Sequence, residues 1–251
     1  MTPLPAATPP VVPAVPIVCP VLTDLRPWRP ATASATGAQP AVGVAPEPPA
    51  LPAAASDYRQ RLVPTPVGWP IRPSWCVWIE PASSAGPAAL WEQRWLRAVS
   101  AALNTWQRQL PIQRVSQPEQ AQVLLQRRRP PIQNNRASHG RALLQLLEVQ
   151  RDGVWRVEPR VEVLISPGQA EPAMQATALH ELGHAFGLWG HSDQAGDVMA
   201  VSPGARPVLE LSSRDRATLQ WLQGQPGLQQ PLLAPPPAAA TPVPPSNSAA
   251  R

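Results

Sequence analysis

The sequence predicts an α+β domain, and three observations support this fold class. Residues 71–80 end in a run of aromatic and β-branched side chains that is typical of a strand. Residues 88–110 repeat apolar side chains at three- and four-residue steps, which predicts a helix with one buried face. Residues 141–149 and 154–166 are β-rich runs on either side of an Asp-Gly pair, which predicts a hairpin. The chain therefore combines a sheet with at least one long helix.

Proline is distributed unevenly: the chain of 251 residues contains 37, and most of them lie near its two ends. These ends lack the periodic apolar pattern that buries a core, so we expect them to be extended or disordered. The predicted organisation is a Pro/Ala-rich arm or pro-segment at 1–65, one folded domain at 66–225 and a Pro/Ala-rich tail at 226–251.

The helix predicted at 88–110 carries one apolar stripe, which we expect to pack against the sheet. The residues of this stripe are Trp91, Trp95, Val99, Ala102, Leu103 and Trp106. Pro111 follows the helix and ends it, because proline cannot continue the hydrogen-bonding pattern. Two short strands are predicted next, at 112–115 and 121–127.

Two further helices are predicted in the last third of the chain. The first covers 173–186 and ends at Gly187, because glycine tolerates the left-handed conformation of a helix C-terminus. The second begins after Ser212, which forms a capping-box pattern with Asp215, and ends at Gly224.

Three histidines in the segment 177–199 indicate a metal site. His180 and His184 are four residues apart, a spacing that places both imidazoles on one face of a helix within reach of one ion. A catalytic zinc ion usually takes three protein ligands, and His191, just after the glycine turn, is the expected third. Glu181 lies beside the first ligand, where it can accept a proton from water instead of binding the metal.

The run H-E-L-G-H-A-F-G-L-W-G-H-S resembles the H-E-x-x-H-x-x-G-x-x-H signature of the metzincin zinc endopeptidases, and among them the matrixins. The chain carries one additional residue in the turn, so that Gly190 takes the place of the third histidine and His191 follows it. Ser192 and Met199 then return to the matrixin spacing, in which a methionine-containing turn (the Met-turn) passes below the metal. The carboxylate of Asp193 is an alternative metal ligand that could replace His191.

This resemblance implies a zinc-dependent endopeptidase with one catalytic zinc ion, held by His180, His184 and His191. Glu181 would take the proton of the attacking water and deliver it to the leaving amine. The implied fold is a twisted, mostly parallel sheet with an antiparallel edge strand, two long helices packed on it and a C-terminal helix after the Met-turn. In the family the edge strand pairs with the extended substrate, and 141–149 is the candidate for it.

Other family features have no counterpart in the sequence. The second, structural zinc of the matrixins needs three further histidines, and His139 is the only one left. No loop has enough carboxylates for calcium, so structural calcium is not supported. Cys19 and Cys76 can pair in an oxidising compartment or remain free thiols. The residues around Cys19, P-I-V-C-P-V-L, do not resemble the family's latency cysteine motif.

The resemblance implies protein or peptide substrates, and we expect a monomer that binds no nucleic acid. The net charge of +5 comes entirely from arginine, and its one cluster, Arg127–Arg129, lacks the interleaved aromatics of a nucleic-acid surface. No stretch is long and apolar enough to span a bilayer. The resemblance favours a secreted or cell-envelope protein, although prolines interrupt the apolar residues 11–22 and no clear signal peptide is seen.

Two alternatives to the endopeptidase differ in what they predict. A non-catalytic zinc-binding envelope or extracellular protein with Pro-rich partner-binding arms would bind metal without turnover. A thermolysin-type site would take Glu210 as its third ligand in place of His191.

Overall fold

The fold was examined in a computed structural model that describes residues 16–23, 25–30, 56–132, 137–151, 153–202 and 204–228. Six strands and three α-helices make up these residues. The strands are β1 (Arg26–Pro27), β2 (Trp75–Ile79), β3 (Ile112–Val115), β4 (Val123–Gln126), β5 (Gly140–Arg151) and β6 (Val154–Ile165). The helices are α1 (Ala89–Gln107), α2 (Glu171–Ala185) and α3 (Ser213–Gln223), and short 3₁₀ turns lie at Arg59–Arg61 and Pro118–Gln120.

The six strands form one mixed sheet in the order β1-β5-β6-β4-β2-β3. The pairs β2–β3, β2–β4 and β4–β6 are parallel, whereas β5 is antiparallel to both β6 and β1. An α+β fold with a mostly parallel sheet is thus confirmed. The prediction is that the antiparallel strand, here β5, forms the edge of the sheet. This is wrong for the last part of β5, because Arg26 and Pro27 of β1 pair with its Glu148 and Leu147.

The predicted hairpin is present: β5 and β6 pair along their whole length from Gly140 and Ile165 to Arg151 and Val154. Gly153, in the turn, has a φ of +77°, a conformation that glycine adopts without a steric penalty. The hairpin brings the start of β5 and the end of β6 to the same end of the sheet, next to α2.

Helices α1 and α2 pack together over one face of the sheet and enclose the main core. The indole N–H of Trp106 donates to the Leu179 carbonyl at 2.9 Å, and that of Trp95 donates to the Ile165 carbonyl at 3.1 Å. Both indoles are fully buried. Their hydrogen bonds tie α1 to α2 and to β6, so the tryptophans orient the helices as well as filling the core.

One member of the predicted apolar stripe is not in the core. Trp91 is 63% exposed, and its neighbour Leu90 is 78% exposed. The large side chains of α1 enter the core only from Trp95 onwards, one turn later. Periodicity identified the correct helix face but not the point along the helix at which that face becomes covered.

The chain before residue 66 contributes to the fold in two places. Tyr58 and Leu62, which precede the predicted start of the domain, are buried in the main core. The second place is residues 16–23 and 25–30, which we call the N-terminal strap. Its Leu22 packs with Leu147 and Val149 on the other face of the sheet.

A disulfide between Cys19 and Cys76 fixes the strap to β2, with the two Cα atoms 5.9 Å apart. The Leu22 N–H donates to the Glu119 carbonyl at 2.9 Å, and the Trp28 N–H donates to the Leu146 carbonyl at 2.9 Å. The strap therefore crosses from β2 to the outer side of β5. The pairing of the two cysteines, which the sequence left open, is decided by this crossing.

Within the described part of the chain, the helices are all too short or too polar to be candidates for crossing a membrane.

Replacing Cys19 and Cys76 together by alanine is expected to lower the free energy of unfolding by about 2–4 kcal/mol, because the bridge closes a long loop in the unfolded chain. Urea unfolding monitored by tryptophan fluorescence measures the loss. A reducing agent should lower the stability of the parent protein to that of the variant and leave the variant unchanged. Equal stability of the two oxidised proteins would contradict a stabilising bridge.

Candidate metal centre

Helix α2 and the loop after it bring three histidines together. His180, His184 and His191 each contribute one imidazole nitrogen, and these three nitrogens all lie within 4.8 Å of one another. The ring centroids of His180 and His184 are 4.9 Å apart, and that of His191 is 5.3 Å and 4.9 Å from theirs. This spacing suits three ligands around one ion.

Backbone carbonyls fix which nitrogen each helical histidine presents. Nδ1 of His180 lies 2.8 Å from the Val198 carbonyl oxygen, and Nδ1 of His184 lies 2.8 Å from the Leu188 carbonyl oxygen. A carbonyl can only accept, so each Nδ1 carries the proton and each Nε2 keeps its lone pair. Orienting partners of this kind are usual behind metal-binding histidines.

Burial keeps these imidazoles neutral, which is the form that binds metal. Desolvation lowers the pKa of His180, although its hydrogen bond to Val198 opposes the shift. The pKa of the fully buried His184 lies well below its usual value because of desolvation and then of the neighbouring His180 and His191. Three neutral nitrogen donors fit zinc, a borderline-soft cation that favours imidazole.

Glu181, the residue after His180 in α2, faces the start of β5 and is not one of the three clustered side chains. A Cβ built on Gly140 would lie only 2.8 Å from Glu181 Oε1, so glycine allows this close approach. Burial raises the pKa of Glu181 to about 7, while the hydrogen bond from the Ala142 N–H and the charge of Arg141 oppose the rise. A carboxyl group with a pKa near neutrality can both accept and donate a proton.

Met199 lies directly beneath α2. It is fully buried, and a Cβ built on Gly183 would lie 2.2 Å from its Sδ atom. The Ser192 N–H donates to the Met199 carbonyl at 2.7 Å, which closes the loop from His191 onto itself. Gly187, with a φ of +107°, ends α2 and starts this loop. The methionine thus supports the helix turn between the two histidines.

The carboxylate of Asp215 on α3 anchors the loop. It accepts the Val198 N–H at 2.8 Å, the Ser212 N–H at 2.9 Å and the Tyr58 hydroxyl at 2.8 Å. Val198 is therefore held on both sides, since its carbonyl accepts from His180. The predicted capping box of Ser212 and Asp215 is present, and the same carboxylate also positions a ligand.

Arg214 engages the carboxylate that the sequence left open as a metal ligand. Its guanidinium donates to Asp193 at 3.0 Å and to the buried Asp197 at 2.8 Å. Asp193 is thereby directed to α3, outside the histidine cluster. Glu210, the ligand required by a thermolysin-type site, forms a surface ion pair with Arg108 at 2.5 Å. Neither carboxylate joins the three histidines.

The structure thus brings His180, His184 and His191 together, with Glu181 and Met199 beside them. Sequence reasoning missed the supporting roles of Tyr58, which falls in the predicted arm, and of Arg214 and Asp197. The capping-box pattern marked Asp215, but only as a helix start. No family model matches the sequence, and no curated protein matches it either.

Gly183→Ala is expected to destabilise the protein by about 1–3 kcal/mol, although alanine normally favours a helix, because the added methyl group meets Met199 in a filled core. Chemical denaturation measures the change. Gly196→Ala is the matched control, since a Cβ there has no neighbour within 4 Å. A Gly183→Ala protein as stable as the control would show that Met199 does not support this turn.

His191→Ala is expected to lower zinc affinity by more than about 100-fold, whereas Asp193→Asn and Glu210→Gln should each change it by less than about tenfold. The reason is that the histidine belongs to the cluster and the two carboxylates pair with arginines. Competition with a chromophoric chelator measures all three. A large loss in the Asp193 or Glu210 variant, with His191→Ala unaffected, would reassign the third ligand.

Proposed function

We propose that this chain is a zinc-dependent endopeptidase of the metzincin type, similar to the matrixins. One observation carries the proposal: Glu181, which follows the first histidine of a three-histidine cluster along α2, lies against the first residue of β5. The sequence signature, the glycine turn and the buried methionine under the helix support the same reading. A binding protein would need the histidines but would not need a carboxylate poised beside them.

His180, His184 and His191 would hold the zinc ion. A bound zinc ion supplies Lewis acidity, which lowers the pKa of water and polarises a peptide carbonyl. The protein contributes the fixed orientation of two ligands through the carbonyls of Val198 and Leu188. This preorganisation keeps the donors in place before and during the reaction.

Glu181 performs the proton transfers. Its carboxylate accepts a proton from the attacking water and then donates it to the nitrogen of the leaving amine, so no covalent intermediate with the protein is required. The pKa of about 7 suits both steps. The Ala142 N–H keeps the carboxylate turned toward β5, along which an extended peptide can pair.

The disulfide bears on where the protein acts. Cys19 and Cys76 are bonded, and such bridges persist in oxidising compartments. We accordingly place the activity in an extracellular or cell-envelope setting, acting on protein or peptide substrates.

Glu181→Gln is expected to lower kcat/KM for an unstructured protein substrate by about 10²–10⁴-fold while leaving zinc stoichiometry unchanged, because it removes the proton acceptor and not a ligand. Glu171→Gln is the matched control in the same helix, since that carboxylate forms a partly exposed pair with Arg97. Steady-state kinetics with and without a chelator provide the measurement. Zinc binding without cleavage in the parent protein would favour the non-catalytic binding protein.

A further inference from the structure

The described residues cover only part of the outer edge of β5. Toward the C-terminal end of β5, the strap pairs with Leu147 and Glu148, and the Trp28 N–H donates to the Leu146 carbonyl. Toward the N-terminal end of β5, the Ala142 N–H is bonded to Glu181. Among the residues that the structure describes, none pairs with the three positions between Ala142 and Leu146 on this edge, and we call these positions the open section.

The direction of the strap identifies what this open section can accept. Strand β1 runs antiparallel to β5, from Glu148 toward Leu146 and thus toward Glu181. N–H and C=O groups of one residue point to the same side in antiparallel pairing, and this side alternates along a strand. Because Ala142 and Leu146 both use their outer groups, Leu144 must also direct its N–H and C=O outward.

We propose that the N-terminal strap is the end wall of the substrate cleft and limits the substrate to about three residues along β5 on the N-terminal side of the scissile bond. This inference rests on the proposed function, since it assigns the subsites of that same site. A peptide antiparallel to β5 approaches Glu181 with its N-terminal side toward Trp28. Its backbone pairs at Leu144, and its fourth upstream residue meets the strap.

Several contacts hold this wall in place. The Arg26 guanidinium forms an ion pair with Glu148 and lies over the Trp155 ring at 3.9 Å. The disulfide fixes the other end of the strap to β2, and Leu22 packs against Leu147. A peptide therefore cannot displace the strap without breaking an ion pair, a backbone hydrogen bond and an apolar contact.

The experiment uses the full-length zinc-loaded Glu181→Gln protein, so that peptides bind without being cleaved. Two fluorescent peptide ladders share one central sequence: one is extended residue by residue at the N-terminus and the other at the C-terminus. Fluorescence anisotropy gives the affinity of each peptide. The strap is loosened by Arg26→Ala with Trp28→Pro, which removes the ion pair and the N–H, and the exposed Arg29→Ala is the control.

Each of the first three upstream residues should tighten binding about two- to fivefold, as cross-strand pairs do, and the fourth to sixth should add less than about twofold in total. In the loosened variant the fourth to sixth residues should gain affinity as the first three do. The Arg29→Ala control should follow the parent ladder. The C-terminal ladder should be the same in all three proteins, which also shows that the site is folded in the loosened variant.

The proposal would be overturned if affinity for the parent protein rose equally beyond the third upstream residue. It would also be overturned if the loosened variant gave the same affinities as the parent, or if no peptide bound. A ladder that is limited at its C-terminal end instead would also overturn it. Cleavage of the same peptides by the parent protein, in which Glu181 is intact, is measured separately. If affinity stops rising after the third upstream residue but no peptide is cleaved, the proposed function is wrong and the end wall is supported. If peptides are cleaved but affinity keeps rising beyond the third residue, the proposed function is supported and the end wall is wrong.

Discussion

A single buried carboxylate, that of Asp215, joins the parts of the chain on which the metal centre depends. It accepts hydrogen bonds from the start of its own helix at Ser212, from the ligand loop at Val198 and from the N-terminal segment at Tyr58. Each donor left unpaired in this core would cost about 1–3 kcal/mol. The position of His180 is therefore linked, through Val198, to both ends of the folded chain.

Close backbone contacts impose a second constraint around the histidines. A Cβ on Gly183 would meet Met199, and one on Gly190 would lie 2.1 Å from the Arg61 carbonyl oxygen. Gly190 occupies the position at which the resembled signature has its third histidine. A side chain there would collide with the 3₁₀ turn at Arg59–Arg61, and His191, the next residue, lies beyond this contact and in the cluster.

The sheet contributes to the site through one of its faces and through the outer edge of β5. The sheet supports α1 and α2, and α2 carries two of the histidines, while the start of β5 faces Glu181. The strap then uses the remaining length of that edge. One strand thus contributes to the core, to the orientation of the proposed proton acceptor and, in our proposal, to the selection of substrate.

The sequence by itself determined the features that depend on neighbours along the chain. Periodicity and capping residues predicted α1, α2 and α3 within a few residues, and the spacing of His180 and His184 placed them on one helix face. Tertiary structure decided the pairing of β1 with β5, the exposure of Trp91 and the contact between Tyr58 and Asp215, which are 157 residues apart. Local patterns record which face of an element is apolar, but they do not record which distant segment covers that face.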